Sequence, residues 1–553
     1  MGRIKQNFSE TKHGIIISFC LSFLTLVFAP LELYLTNIDE FWLRLSELLI
    51  PISILFFFCF FGTSFLLFFS NIISRKLYNF FLILVSSITV STYIQGTFLA
   101  KNLPDTNGDT IDWASFTSER IHSVLAFTIP FVVFLLLFIF LKEAKFKKAV
   151  STVGLCFCLV LAVTLLSLFI TTDISKPKAT VSTEKNEFLF SDKQNLIVLI
   201  LDSTDNNTFK TAMKRDGEIK EVLDGFTYFD DALAGYPYTT RSIPFIFSGK
   251  WYENDIRFHD YRCQSITDSP FIKKLKEHDY QIGLYETLSL ELNQEQTDSL
   301  FENFYPLKID YTHSVPYQMV LKMAGIKYAP WDLKFYAWDL YFYADYLNTT
   351  DSGYNTFDWD NKAFYDKVNN SENITLTSNK CARIIHLDGA HVPFKYDKNL
   401  NNVGHNANYD DAVDVCVTII KQFIACLKQN GIYDNSAIII LADHGYTVNT
   451  NDKDYTKQRM NPILMVKGIN ESHKFSVSSA PISYEDIAGG IVKLIEKKSS
   501  NEIFDYTEGN VRTRRTFLFD YMQEKNMSEY ITDSRADDVD AMKATGKTFV
   551  YGK

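Results

Sequence analysis

The sequence has little positive charge for its size. Lys and Arg number 55 against 65 Asp and Glu among the 553 residues, which gives a formal net charge of −10 at pH 7. Proteins that bind nucleic acid use Lys and Arg to neutralise backbone phosphates and are therefore usually basic. The charge balance argues against nucleic acid as a partner.

Cysteine is also scarce, with 8 residues that form no evident disulfide framework. Cys416 and Cys426 fall on one predicted helix, about 15 Å apart at ~1.5 Å per residue, which is too far for a disulfide. A bond between Cys263 and Cys381 remains open, because both lie in the part of the chain expected outside the cytoplasm. No internal repeat is evident.

Long hydrophobic runs, by contrast, are abundant near the N-terminus. They fall at roughly 14–36, 48–70, 77–99, 121–141 and 149–171. Each approaches the ~20 residues with which a helix crosses a bilayer. The first run is too long, and its followers too many, for a cleaved signal peptide. We expect a transmembrane domain of about five helices over residues 1–172.

Basic residues alternate between the connections of these runs. They precede the first run and occupy the second and fourth connections: Arg3, Lys5, Lys12, Arg75, Lys76, Lys142, Lys145, Lys147 and Lys148. The connections at 37–47 and 100–120 are mixed or acidic. Because connections rich in Lys and Arg stay on the cytoplasmic side, everything after about residue 172 is expected outside the cytoplasm.

The composition changes after the last run. Residues 173–193 lack apolar periodicity and are interpreted as a linker, followed by an α/β domain over 194–553. Strands are predicted at Asn195–Leu201, Tyr280–Tyr285, Arg383–Leu387, Ser436–Leu441, Pro462–Val466 and Thr516–Phe519, and the clearest helices at Tyr409–Gln429 and Glu485–Lys497. Apolar strands that alternate with helices predict a mostly parallel sheet, which binds ligands at the carboxyl ends of its strands.

Candidate metal ligands follow two of these strands. Asp202 comes directly after Asn195–Leu201, and Asp443-His444-Gly445 closes the strand at 436–441. Each residue alone would be an ordinary turn or cap residue, but together they predict one site. Asp202, Asp443, His444 and a threonine oxygen would form a four-coordinate shell suited to Zn²⁺, with Mn²⁺ as the alternative.

The threonine comes from the segment Gly235–Gly249, interpreted as a turn that leads into a helix. Pro244 suits the first helical turn, where its missing N–H is not needed. The free N–H groups of such a turn suit a phosphate or a sulfate. Thr239 and Thr240 place a hydroxyl there, which needs a metal or a base to become a nucleophile.

Two histidines are candidates for holding the substrate. His391 lies in the loop that follows the strand at Arg383, and His405 comes 14 residues later. They could bind a second ion or hold phosphoryl oxygens, although a lone loop histidine such as His405 is more often simply solvated.

Residues 190–500 resemble the alkaline-phosphatase/sulfatase superfamily, most closely its membrane-anchored branch of phosphoethanolamine transferases and lipoteichoic acid synthases. In those families a strand-end acid, a threonine and an Asp-His-Gly triplet bind the metal. The segment from Thr239 to Ser248 is similar to the transferase pattern Thr-Ala-x-Ser-Val-Pro-Cys-Met-Phe-Ser. The match implies Thr239 as nucleophile, with Thr240 as the fallback. His391 matches the histidine of a small-x-His-x-Pro loop, and His405 matches a further substrate histidine more loosely.

The resemblance implies a metal-dependent enzyme of a bacterial-type cytoplasmic (inner) membrane, with its catalytic domain outside the cytoplasm. It implies transfer of a phospholipid head group, phosphoethanolamine or phosphoglycerol, through a phosphothreonine intermediate to a cell-surface glycan or glycolipid. A hydrolase on the same scaffold, either a phosphodiesterase or a sulfuric ester hydrolase, is one alternative. A non-catalytic membrane scaffold is another.

The sequence departs from the transferase pattern in three places. Asp202 stands where transferases usually have Glu, residues 446–461 contain no His, and Phe245 replaces a Cys. A formylglycine sulfatase needs Cys or Ser followed by x-Pro-x-Arg, whereas Ser242-Ile-Pro-Phe continues into Ile246. The departures bear on the substrate more than on the chemistry, and the missing Arg disfavours a sulfatase.

Aromatic side chains crowd residues 311–365. They include Trp331, Phe335, Tyr336, Trp338, Tyr341, Phe342 and Tyr343. This density is typical of a membrane interface, where a lipid donor would enter. Packing inside the α/β domain is the alternative.

Overall fold

The computed structural model describes residues 2–38, 44–100, 103, 113, 116–174, 180–286, 292, 294–306, 315–337, 353–370, 374–447, 454–519 and 526–550. The chain divides into two compact units. The helical unit comprises Met1–Pro177 and Ile309–Asn348, and the α/β unit comprises Lys178–Lys308 and Thr349–Lys553.

Five long apolar helices make up most of the helical unit, as the sequence predicts. The candidate spans among the described residues are Thr11–Thr36, Leu45–Ile73, Arg75–Phe98, Thr117–Phe140 and Glu143–Thr171. Each is long enough to cross a bilayer. The first and third spans are the most buried, and the other three expose Phe, Leu, Ile and Val side chains, as lipid-facing helices do.

The first span is built from three helical pieces. Helices of this unit, numbered in chain order, are α1 (Gly2–Phe23), which continues through a π-helical turn (Leu24–Phe28) into α2 (Ala29–Thr36), then α3 (Leu45–Ile73), α4 (Arg75–Phe98), α5 (Thr117–Phe140), α6 (Glu143–Thr171), α13 (Val315–Tyr328) and α14 (Trp331–Lys334). The predicted domain boundaries include α13 and α14 in the domain 194–553, whereas both belong to the helical unit.

The α/β unit contains sixteen named strands in its described residues. In chain order they are β1 (Thr180–Ser182), β2 (Leu189–Ser191), β3 (Asn195–Leu201), β4 (Thr227–Phe229), β5 (Ala232–Leu233), β6 (Tyr280–Tyr285), β7 (Phe304–Pro306), β8 (Thr375–Thr377), β9 (Lys380–Leu387), β10 (Ser436–Leu441), β11 (Leu464–Lys467), β12 (Ser476–Ser478), β13 (Ile482–Ser483), β14 (Arg514–Leu518), β15 (Asn526–Thr532) and β16 (Lys543–Val550). Seven of them form the central sheet, in the order β12-β4-β11-β10-β3-β9-β6. In this sheet β11 alone runs against the others, so the predicted mostly parallel sheet is confirmed.

Helices cover both faces of the central sheet. They are α7 (Asn206–Asp216), α8 (Ile219–Val222), α9 (Thr239–Ser248), α10 (Phe258–Thr267), α11 (Pro270–Glu277), α12 (Gln294–Leu300), α15 (Asn361–Asn369), α16 (Tyr409–Gln429), α17 (Tyr455–Gln458) and α18 (Ile487–Ile495). Successive side chains of β3 enter opposite cores: Leu196, Val198 and Ile200 one, and Ile197, Leu199 and Leu201 the other. Because both faces are covered, a strand with six consecutive apolar residues, Leu196–Leu201, is stable here.

The structure differs from the sequence predictions in three further places. The segment predicted as a linker, 173–193, contains β1 and β2. The predicted strand Thr516–Phe519 is found as β14, which joins a separate antiparallel sheet with β15 and β16. Cys263 and Cys381 are both free thiols, Cys381 buried within β9 and Cys263 half-buried on α10, so the disulfide left open above is not formed.

Candidate active site

Three neighbouring strands bring acidic and imidazole groups to one edge of the central sheet. β3 lies between β9 and β10 and is parallel to both, with Ile200 paired to His386 on one side and to Leu441 on the other. Asp202 and Asp443 therefore leave the sheet at the same edge, level with His386. All three of these polar side chains are buried.

Thr239 joins this group as the first residue of α9. Its Oγ1 donates to Asp202 Oδ2 at 3.1 Å and lies 3.2 Å from His444 Nε2. His444 Nε2 in turn lies 3.4 Å from Asp443 Oδ2. The structure thus brings together all four residues that the sequence proposed as metal ligands.

The helix that carries Thr239 begins earlier than the sequence predicted. Pro244 is the sixth residue of α9 and lies inside the helix, so its assignment to the first turn was wrong. A proline at this position leaves the carbonyl four residues earlier without its N–H partner. The early start is what places Thr239 at the helix N-terminus, where free N–H groups and the positive end of the dipole lie.

Sequence reasoning missed His386 as a candidate ligand. Its Nδ1 lies 2.7 Å from Oε2 of Glu286, the residue that follows β6, because Tyr285 pairs with Ile385 one position earlier. A carboxylate at Nδ1 holds the proton there and leaves the Nε2 lone pair for a metal. The available signal was a histidine inside an otherwise apolar strand.

Two buried atoms at the centre of the group have no hydrogen-bond partner, Asp443 Oδ2 and His386 Nε2. The other oxygen, Asp443 Oδ1, accepts from the N–H groups of Ser203 (3.1 Å) and His444 (2.9 Å). Asp202, His386 and Asp443 each offer one ligand atom, all within 4.8 Å of one another. Buried polar atoms without partners are rare, and converging oxygen and imidazole atoms of this kind fit a divalent cation.

His444 also presents a lone pair to the group. Its Nδ1 lies 2.7 Å from the carbonyl oxygen of Gly445, so Nδ1 carries the proton and Nε2 faces Thr239. Burial lowers the pKa of His444, with the neighbouring Arg459 acting in the same direction and the two aspartates opposing it. The neutral imidazole that results is the form that binds metals.

The backbone at Asp202 is fixed by a glycine. Gly389 has φ +59°, and a Cβ there would lie 2.4 Å from Asp202 N and 2.5 Å from Asp202 O. Ala390 N donates to Asp202 O at 2.8 Å. Any larger residue at position 389 would have to displace the first carboxylate of the site.

A sequence model of the sulfatase family matches residues 194–496. The match covers more than half of the chain and every residue of the group described above. The chain belongs to the sulfatase family. No curated protein sequence matches it.

Comparison with solved structures finds several proteins to which this chain is similar. The lipoteichoic acid synthase LtaP from Listeria monocytogenes is 15% identical, with 66% of this chain and 88% of that chain covered and a TM-score of 0.36. The C-terminal periplasmic domain of EcEptC from Escherichia coli is 11% identical, with 64% and 95% covered and a TM-score of 0.34. Ps i-CgsB in complex with k-i-k-neocarrahexaose is 14% identical, with 62% and 82% covered and a TM-score of 0.42.

The sulfatase-family site keeps its central carboxylate charged. Burial alone would raise the pKa of Asp202, but His391, His386 and His444 together hold this pKa below its usual range. Burial would lower the pKa of His386, yet Glu286 and Asp202 raise it well above its usual value. Without a cation His386 Nε2 therefore carries a proton, which a bound cation would displace. The negative charge of Asp202 and the positive charge of His386 thus stabilise each other. Strongly shifted pKa values of this kind are typical of functional sites.

The remaining predicted residues lie near the site or outside the described part. His391 follows β9 in a loop, half-buried, with its ring 6.0 Å from that of Trp359. His405 lies in a short 3-10 helix, Gly404–Asn406, and its side chain is outside the described structure. Thr240 Oγ1 has no hydrogen-bond partner, whereas Thr239 Oγ1 donates to Asp202 and lies beside His444 Nε2, which favours Thr239 over its neighbour.

Arg459 is a second residue that sequence reasoning missed. Its Nη2 lies 3.3 Å from His444 Nδ1, and its guanidinium stands 4.4 Å from the centre of the Tyr238 ring. Its Nε is buried without a partner. From the sequence, the only feature noted in residues 446–461 was the lack of a histidine. Arg459 supplies a positive charge in that stretch.

Proposed function

We propose that this sulfatase-family protein transfers a phospholipid head group, phosphoethanolamine or phosphoglycerol, to a cell-surface glycan or glycolipid through a phosphothreonine intermediate. The observation that supports it is the position of Thr239. Its hydroxyl lies at a helix N-terminus within 3.2 Å of both Asp202 and His444. A hydroxyl in this position can act as a nucleophile once a metal or a base activates it.

The proposed metal ligands are Asp202, Asp443, His444 and the Thr239 oxygen, and His386 adds a further imidazole. Zn²⁺ suits this mixture of nitrogen and oxygen atoms, and Mn²⁺ suits the oxygen-rich part of it. When bound, such an ion lowers the pKa of a hydroxyl that contacts it and neutralises charge on phosphoryl oxygens. Asp443 Oδ2 and His386 Nε2 have no hydrogen-bond partner, and each can offer a lone pair to the ion, His386 once Nε2 has lost its proton.

The chemistry is two displacements at phosphorus. Thr239 Oγ1 forms a bond to the phosphorus of the donor while the bond to the lipid alcohol breaks, and the proton lost by Thr239 leaves with that alcohol. An acceptor hydroxyl then attacks the same phosphorus, the bond to Thr239 breaks, and the threonine regains a proton. Transfer through a covalent intermediate predicts ping-pong kinetics.

Positive groups around Thr239 are placed to hold the phosphoryl oxygens. The first N–H groups of α9 and the positive end of its dipole point toward an anion at Thr239. Arg459 brings a guanidinium beside His444, and we propose His391 and His405 as further contacts. A guanidinium can bind two phosphoryl oxygens at once.

Five candidate spans support a lipid donor. An enzyme that acts on a soluble ester has no evident need of them, whereas one that acts on a phospholipid gains from being held at the bilayer. From the family resemblance we propose a bacterial-type cytoplasmic membrane, and from the distribution of Lys and Arg we propose that the α/β unit lies outside the cytoplasm.

A hydrolase on the same scaffold is the second candidate, favoured by Asp202, since Asp is more usual at this position among sulfatases and phosphatases. It would share the threonine ester but pass the group to water. The missing Arg after Pro244 speaks against a formylglycine sulfatase. The intact cluster of Asp202, Thr239, Asp443 and His444 speaks against a scaffold without activity.

Covalent labelling tests the proposal. The full chain is incubated with phosphatidylethanolamine or phosphatidylglycerol labelled in the head group, quenched in acid, and mapped by mass spectrometry. We expect the label on Thr239, no label in Thr239→Ala, and retained label in Thr240→Ala. Release of free head group to water without transfer to any acceptor would favour the hydrolase, and full activity of Thr239→Ala would refute the scheme.

A further inference from the structure

The segment 315–337 interrupts the α/β unit in sequence but belongs to the compact helical unit. It contains α13 and α14, joined at Ala329 and Pro330. A segment that leaves one unit to pack with the five candidate spans must be held there by specific contacts, and the structure shows two sets of them.

The first set joins the end of α13 to the first and third spans. Lys327 Nζ lies 2.7 and 2.8 Å from the two carboxylate oxygens of Glu32, and the Tyr328 hydroxyl donates to the same carboxylate at 3.2 Å. The Tyr328 ring lies directly on Gly96, where a Cβ would come within 2.2 Å of it. Glu32 is thus a charged residue within a span that finds its partner on the inserted segment, as such residues must.

The second set joins α14 to the start of the fourth span. Trp331 N donates to Ser123 Oγ at 2.9 Å, and the Trp331 ring lies 5.4 Å from Phe116 and 5.7 Å from Trp113. Asp332 forms a 2.7 Å ion pair with Arg120. Trp and Tyr gather in this way at the boundary between lipid and water.

These contacts put the segment at one end of the set of candidate spans. Glu32 and Gly96 are near the ends of the first and third spans, and Arg120 and Ser123 are at the start of the fourth. Because successive spans alternate in direction, these three ends share one side. The fifth span, Glu143–Thr171, ends on that same side.

The segment exposes an apolar surface there. Leu333, Phe335 and Tyr336 are 51%, 50% and 71% exposed. Elsewhere outside the spans, exposed large apolar residues of the described chain do not cluster so closely in sequence. Lys334, between them, points inward and donates to the carbonyl oxygens of Ile326 and Lys327 at the end of α13, so its neighbours face outward.

A shallow groove of about 360 Å³ runs along this surface. Its lining is Gln318, Leu321, Lys322, Gly325, Leu333 and Tyr336. The lining is mainly apolar, with Lys322 supplying one positive charge. A phospholipid combines these two features, an apolar chain and an anionic phosphate.

We propose that this groove is the docking site of a single phospholipid of the adjoining leaflet, with an acyl chain against Leu333 and Tyr336 and its phosphate toward Lys322. The inference rests on the proposed function, since this lipid is then the donor. It goes further in assigning lipid capture to the inserted segment and the chemistry to Thr239. The groove is continuous with the unit that contains the spans, which favours a lipid over a second protein copy.

Photolabelling tests the docking site without relying on turnover. The full chain in lipid nanodiscs is irradiated with phosphatidylglycerol or phosphatidylethanolamine that carries a diazirine on one acyl chain, and the labelled peptides are mapped. We expect label on residues 318–336 in the wild type and equally in Thr239→Ala. Label confined to the spans would overturn the proposal, and so would cross-links between the segments of two copies.

A double variant then links docking to activity. Leu333→Asp with Tyr336→Asp should lower both the labelling of this segment and the turnover of long-chain lipid by about tenfold or more, because two large apolar contacts are lost. Turnover of a short-chain, water-soluble analogue should stay at the wild-type rate. Val511→Asp is the matched control, since Val511 is 83% exposed in the α/β unit. Wild-type turnover of long-chain lipid by the double variant would refute the site.

A charge exchange checks that the segment is held as described. Lys327→Glu and Glu32→Lys should each reduce lipid labelling of the segment, and the double exchange should restore it. Failure of restoration with an intact melting profile would contradict the anchoring role of the pair. Absence of any threonine ester in the wild type would refute the proposed function instead. The photolabelling result would then still decide, by itself, whether the groove binds a lipid.

Discussion

Replacement of Glu286 by Gln tests whether His386 binds a metal. The two side chains form a 2.7 Å contact and are each about 1% exposed. The carboxylate holds the proton on Nδ1 and so directs the Nε2 lone pair toward Asp202 and Asp443. An amide has the same shape but no charge, and its NH₂ group can present a donor to Nδ1. The preferred tautomer is then lost.

Loss of such a partner typically weakens metal binding about 10- to 100-fold, or ~1.4–2.8 kcal/mol. Zinc affinity of the full chain, measured by competition with a chelator, should fall by this amount in Glu286→Gln. Glu187→Gln is the matched control, because Glu187 is also buried but pairs with Lys367 at 2.9 Å, away from the site. Melting temperatures of both variants report folding. Wild-type zinc affinity in Glu286→Gln would refute the role given to His386.

Three further predictions concern the same unit. Gly389→Ala should weaken zinc binding, because its Cβ would collide with the Asp202 backbone. The control Gly431→Ala, at φ +66° with open space around it, should keep its zinc affinity and lose only ~1 kcal/mol of folding stability through backbone strain. Equal zinc affinities of the two variants would contradict this. Burial raises the pKa of Asp205 to about 6, so stability from its protonation is present below about pH 4 and lost as the pH rises through 6. Asn caps a helix as well as Asp, so Asp205→Asn should melt at a higher temperature than wild type at pH 7, by the equivalent of up to about 3 kcal/mol, with no gain at pH 4; equal midpoints at pH 7 would contradict it. Thr239→Ser should keep measurable transfer, since a hydroxyl remains, and complete loss would point to a role for the methyl group.

Much of the site followed from the sequence because its parts lie at strand ends. Six apolar residues precede Asp202 and six largely apolar residues precede Asp443, and short runs of this kind that alternate with helices indicate buried parallel strands. Parallel strands bring the residues that follow them to one edge of the sheet. The helix Tyr409–Gln429 was predicted with its observed bounds for a similar reason, since its apolar periodicity is long and regular. The family resemblance then identified Thr239.

The parts that were missed depend on information that lies between segments. His386 reaches the site only because β9 pairs with β3 in a particular register, and Glu286 supports it only through the register of β6. Tertiary packing overrides the preference of Pro244 for a first turn. The placement of α13 and α14 depends on Glu32 and Gly96, which lie more than two hundred residues away in the chain.

The central claim is that one cation, held at the tips of β3 and β10, contacts the Thr239 hydroxyl. Anomalous diffraction from zinc-loaded crystals of the full chain, recorded at the zinc edge, tests it most directly. We predict one strong peak about 2.0–2.2 Å from oxygen or nitrogen atoms of Asp202, Asp443 and His444 and of Thr239. A zinc peak that lies beyond contact with Thr239, or no peak at this edge of the sheet, would contradict the account.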